Sequence, residues 1–120
     1  KVDCMRFMFY EAWSFNQPLQ NWDVSNVTGM RGMFQDAICF NQPLNDWNVA
    51  NVTDMQEMFR HATSFNQPLN NWDVPKVRYM QSMFYAARSF NQPLDNWNLL
   101  HRATSLNQSI KRHVMSDSDF

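Results

Sequence analysis

Phe65-Asn66-Gln67-Pro68-Leu69 is the stretch that organises this chain, because the same five residues stand at 15–19, 40–44 and 90–94, each copy 25 positions after the last. A fixed period of that length marks a repeat array, in which one small unit recurs and buries its apolar face only against its neighbours. The period carries whole columns of large side chains. Trp22, Trp47, Trp72 and Trp97 share one phase, and Phe15, Phe40, Phe65 and Phe90 another. Met30, Met55 and Met80 follow Met5; Met33, Met58 and Met83 follow Met8; Phe34, Phe59 and Phe84 follow Phe9. Nearly every large apolar residue belongs to such a column, so these ladders are the expected core.

Spacing inside one unit suggests its local structure. Met55, Met58, Phe59 and Ala62 fall at i, i+3, i+4 and i+7, which predicts one stripe of a short helix over 54–61, capped by Thr53 or Asn51. Pro68 forbids helix continuation and biases Gln67 to extended geometry. Trp72 and Val74 then alternate with Asp73, as in a short half-buried strand. One parallel strand and one short helix per 25-residue coil, in about four coils, give an α/β repeat solenoid with strands about 4.8 Å apart. The expected array occupies 1–110. Leu106 follows Phe90 by 16 residues instead of 25, so the last coil lacks nine residues, and 111–120 reads as a disordered tail. Both ends of the stack should expose apolar surface, which invites end-to-end self-association.

The unit F-N-Q-P-L-x-x-W-D/N-V-x-x-V-x-x-M-x-x-M-F-x-x-A resembles the BspA-like surface-protein repeats of the wider leucine-rich-repeat superfamily, over roughly 2–99. The resemblance implies a leucine-rich-repeat-like solenoid displayed on the cell surface or secreted, where such arrays serve adhesion or protein recognition. It carries no catalytic residues with it.

Composition narrows the function independently. The 120 residues hold 10 Lys and Arg against 11 Asp and Glu, for a net charge of −1, which leaves no excess positive charge to grip nucleic acid or an anionic membrane. Only Gly29 and Gly32 are present, too few for a phosphate cradle. No apolar run approaches the roughly 20 residues that span a bilayer, and no leader sequence opens the chain. Starting on Lys1 rather than Met, it reads as a processed chain or a piece of a longer one. Cys4 and Cys39 lie in different phases, Cys39 replacing Ser14, Ser64 and Ser89, which makes it a small half-buried substitute and not half of a disulfide.

Candidate chemistry has to be weighed against packing. Methionine sulfur suits monovalent copper, but the two methionine columns lie beside phenylalanines and read as core. The tryptophan column reads as buried, whereas Trp13, whose phase otherwise holds Ile38, Thr63 and Arg88, reads as exposed. Rows of Asn21, Asp46, Asn71 and Asn96 and of Asp23, Asn48, Asp73 and Asn98 present oxygens that calcium would accept or that turns would use locally. Asn16, Asn41, Asn66 and Asn91 should satisfy turn amides inside their own coil. Asn26-Val27-Thr28, Asn51-Val52-Thr53 and Asn107-Gln108-Ser109 match a glycosylation acceptor, two of them as by-products of the repeat. His61, His101 and His113 share no phase and suggest no triad. The expectation is a non-enzyme without cofactor that binds a protein ligand through the Asn and Asp rows, with Tyr79, Tyr85 and Arg88 as a variable patch. A structural spacer and a calcium-stabilised solenoid are the alternatives.

Overall fold

A computed structural model describes residues 2–97. In it the stripe Met55, Met58, Phe59 and Ala62 is fully buried, but the backbone that carries it is not a helix. Its amides alternate between two kinds of partner. Met58, Arg60 and Ala62 donate three residues back, to the carbonyls of Met55, Glu57 and Phe59. Met55, Glu57, Phe59 and His61 instead donate across to Tyr79, Gln81, Met83 and Tyr85 at 2.8–3.0 Å. An α-helix would have returned every one of these bonds to a carbonyl four residues back.

Such alternation requires the chain to change hand. Glu57 and His61 have φ of 57° and 58°. Each is the third residue of a four-residue turn, the place where a type II turn needs positive φ. Phe7, Gly32 and Ser82 repeat the first of these positions, and Glu11, Asp36 and Ala86 the second. At Gly32 an added Cβ would lie 2.3 Å from the Phe7 ring, which covers it. The successive turns put the same residues inward that a helix would, while every second N–H points at the next repeat.

The expected α/β solenoid of leucine-rich-repeat type is therefore overturned. Among the described residues there is no helix and no strand, and pairing is confined to the isolated parallel bridges Cys4–Gly29, Gly29–Asp54 and Asp54–Tyr79. These bridges precede the apolar stripe instead of falling at Trp72 and Val74. The alternation there is real, with Trp72 and Val74 buried and Asp73 exposed. However, bonds from Trp72 N–H to Leu69 and from Val77 N–H to Val74 close turns on both sides, leaving no extended run to pair. The expected caps also look elsewhere: Thr53 donates its N–H and hydroxyl to Thr28 of the preceding repeat, and Asn51 donates to Ser25. Asp54 takes the N–H of Gln56 in their place.

Residues one period apart nevertheless lie over one another. Phe9, Phe34, Phe59 and Phe84 stack at 5.5–5.7 Å between centroids, and Phe15, Phe40, Phe65 and Phe90 at 5.9–6.0 Å. The two files interleave at 4.2–4.3 Å. Met30, Met33, Met55, Met58, Met80 and Met83 fill the remaining core. Each buried indole in turn crosses between repeats, Trp47, Trp72 and Trp97 donating Nε1–H to the carbonyls of Leu19, Leu44 and Leu69 at 2.8–3.0 Å. The incomplete last coil and the tail at 111–120 lie outside the described residues.

Candidate recognition surface

The row beside the tryptophans is exposed at Asn21, Asp23, Asp46, Asn48, Asn71, Asp73 and Asn96, while Asn98 lies outside the described residues. Its members are chemically unequal. Asp23 Oδ1 accepts the N–H and hydroxyl of Ser25 at 3.0 and 2.6 Å, and Asn48 Oδ1 accepts the N–H of Ala50 at 3.1 Å. These are local turn bonds of the kind Asp and Asn make with the backbone two residues on. In the third copy the corresponding residue is Pro75, which has no N–H, so the exposed Asp73 carboxylate makes no such turn bond and no other side-chain hydrogen bond among the described residues. Asp46 likewise makes no side-chain hydrogen bond among the described residues.

A second set of side chains stiffens the wall from beside this row. Asn16, Asn41 and Asn66 do not serve their own coils as expected. Each Oδ1 accepts the N–H of its successor, Asn41, Asn66 or Asn91, at 2.8–2.9 Å. The same oxygens accept Nε2–H of Gln42, Gln67 and Gln92 at 3.0–3.1 Å. Asn45 and Asn70, which sequence reasoning passed over, accept the N–H of Asn71 and Asn96 at 3.0 Å. The signal for them was weak, because their column also holds Gln20 and Asp95.

Of the variable patch, Tyr79 and Arg88 are exposed and Tyr85 is half-buried. The Tyr85 ring is engaged by the preceding repeat, with the Arg60 guanidinium 5.0 Å above it and the His61 ring 5.8 Å away. Ion pairs that the sequence did not disclose run along this side. Glu57 meets Arg60 at 2.9 Å and Arg31 at 3.7 Å, and His61 Nδ1 lies 3.0 Å from Asp36. Exposed pairs of this kind contribute at most about 1 kcal/mol each, so they shape the surface more than they hold the stack.

Trp13 is 61% exposed, as expected, but Trp22 is 39% exposed where its column otherwise is buried. Phe15 is half-buried beside the same end. Cys4 and Cys39 are free thiols, and Cys39 is exposed instead of half-buried. Hydrogen bonds from the Arg6 backbone and then from its guanidinium, whose Nε lies 3.1 Å from Sγ, hold the Cys4 thiol below its ordinary pKa. Among the described residues no three His, Cys, Asp or Glu converge on a place that could hold a metal. Nor, among them, is any helix long and apolar enough to cross a membrane.

The chain matches, over residues 3–117, the family model described as Mycoplasma protein of unknown function, DUF285. No curated protein and no solved structure matches it.

Proposed function

We propose, from the premise that this chain belongs to the DUF285 family, that it is a non-catalytic recognition module gripping a protein partner through the paired Asn and Asp rows, at Asp46 and Asp73. Family membership supports a repeat-type surface protein and is compatible with display at the cell surface. The observation that carries the finer reading is that these two exposed carboxylates, in neighbouring rows of successive repeats, make no side-chain hydrogen bond among the described residues and stand on a wall tied by inter-repeat amide bonds. A fixed spacing of acceptors favours a partner with cationic side chains at matching intervals, and a rigid presenting surface reduces the ordering cost of association.

The test uses the intact chain against a panel of purified cell-surface and extracellular-matrix proteins. The double variant Asp46→Lys/Asp73→Lys should weaken any binding seen by tenfold or more, by reversing two charges at the contact. Asn48→Ala, which removes only a turn bond, should leave affinity within about twofold while lowering stability slightly. Equal affinity of the double variant and the parent chain would remove this row from the binding surface.

A further inference from the structure

The start of the stack is an unfinished copy of an interface the molecule builds repeatedly. Between repeats, the carbonyls of Gly29, Arg31, Met33 and Gln35 accept the N–H groups of Met5, Phe7, Phe9 and Glu11. The corresponding carbonyls one period earlier, of Cys4, Arg6, Met8 and Tyr10, accept nothing among the described residues. Trp47 donates its indole N–H to Leu19, but Trp22 has no such acceptor. The N–H of Asn41 finds Asn16, and that of Asn16 finds no side chain. Apolar burial breaks off at the same place. Val27, Met33 and Trp47 are at most 4% exposed, whereas Val2, Met8 and Trp22 are 53%, 44% and 39% exposed. Val2, Met5, Met8, Trp22, Asp23 and Asn26 line an open depression of about 460 Å³ on this face.

We infer that the face formed by Val2, Met5, Met8 and Trp22 is an interaction surface for a further peptide segment of the same 25-residue pattern, which docks by continuing the inter-repeat bonding. Continuity with the existing interfaces selects this occupant. The open carbonyls come at every second residue, and in the completed interfaces the matching donors lie on a chain that alternates hand through positive φ at every fourth position. A flat strand does not present donors that way, and an apolar small molecule would fill the depression while leaving the carbonyls unmet.

The probe is a synthetic peptide with the sequence of residues 27–51, titrated into the full chain labelled with ¹⁵N. Saturable one-to-one binding is expected, with the Trp22 indole N–H shifted and slowed in exchange, and with no response to a scrambled peptide. Met8→Asp, at a side chain that is already exposed, should weaken binding at least tenfold without lowering the melting temperature. Because a lone repeat must be ordered as it docks, a fused form supplies the same test without the association cost. Joining a copy of residues 27–50 ahead of Lys1 preserves the period and should raise the melting temperature by about 4 °C or more while burying Trp22. Failure of both peptide and fusion, or equal binding of the scrambled peptide, overturns the inference. A concentration-dependent dimer of the unmodified chain in sedimentation that is lost in Met8→Asp would assign the face to a second copy and overturn the choice of occupant. The readouts sit at Trp22 and Met8, and Asp46 and Asp73 of the chain are left unaltered, so the recognition rows and this face fail independently.

Discussion

Ala86 and Ala87 are adjacent, yet the backbone assigns them opposite responses to glycine. Ala86 has φ of 59°, where an L residue is disfavoured by about 1–2 kcal/mol. Ala86→Gly removes that strain, against roughly 0.4–1 kcal/mol for the freer unfolded chain and a few tenths for a half-buried methyl. The balance is a stabilisation of about 0.5 kcal/mol. Ala87 is fully buried and is not among the positive-φ residues. Ala87→Gly therefore loses a buried methyl, about 0.8 kcal/mol, together with the same entropic term, for a destabilisation of about 1.5 kcal/mol. The neighbours should differ by about 2 kcal/mol, with opposite signs. In a helix both substitutions would destabilise by about 1 kcal/mol. Urea unfolding followed by tryptophan fluorescence, with m-values held common, resolves a gap of this size. Equal destabilisation of the two variants would refute the left-handed turn and restore the helix.

Trp72→Phe should destabilise by about 2 kcal/mol, since it deletes the 2.8 Å bond to Leu44 and part of a buried ring system while the Leu44 carbonyl keeps the Trp47 N–H, whereas Trp22→Phe should change stability by less than about 0.5 kcal/mol; equilibrium unfolding compares them. Asn41→Ala should lower stability by about 1 kcal/mol and speed hydrogen exchange at the Asn66 amide that it holds at 2.9 Å, an effect read by NMR. In a Cys39→Ser background, Arg6→Ala should move the midpoint of Cys4 alkylation to higher pH, because it removes the guanidinium donor that favours the thiolate; an unmoved midpoint would show that this donor does not lower the pKa.

The period and the inward-facing columns were readable because burial imposes them whatever the backbone does. Met55, Met58, Phe59 and Ala62 satisfy a helical stripe and also a succession of turns, so apolar spacing alone could not separate the two. The distinguishing signal sat on the outer face. Gly32, Asp36 and His61 are residue types that tolerate positive φ, and they occupy the two columns that adopt it. Phe7, Glu57 and Ala86 in the same columns masked the pattern, since the bonds to the next repeat hold even poorly suited residues in that conformation. On the candidate recognition row, the exposure of alternate residues followed from the strand-like alternation. What did not follow was which oxygens remain uncommitted, because that depends on whether Ser25, Ala50 or Pro75 stands two residues on.

The bonds between repeats all join residues 24 to 28 apart in sequence. Every contact of this kind therefore closes a loop of nearly the same size, and the entropy of closure is uniform along the chain. Folding such a molecule is a succession of equal short searches, in which the first pairing of two windings is the slow event and later ones add to a finished edge. Lengthening it would lower the ratio of contact separation to chain length, so a longer relative should assemble through rungs no slower than these.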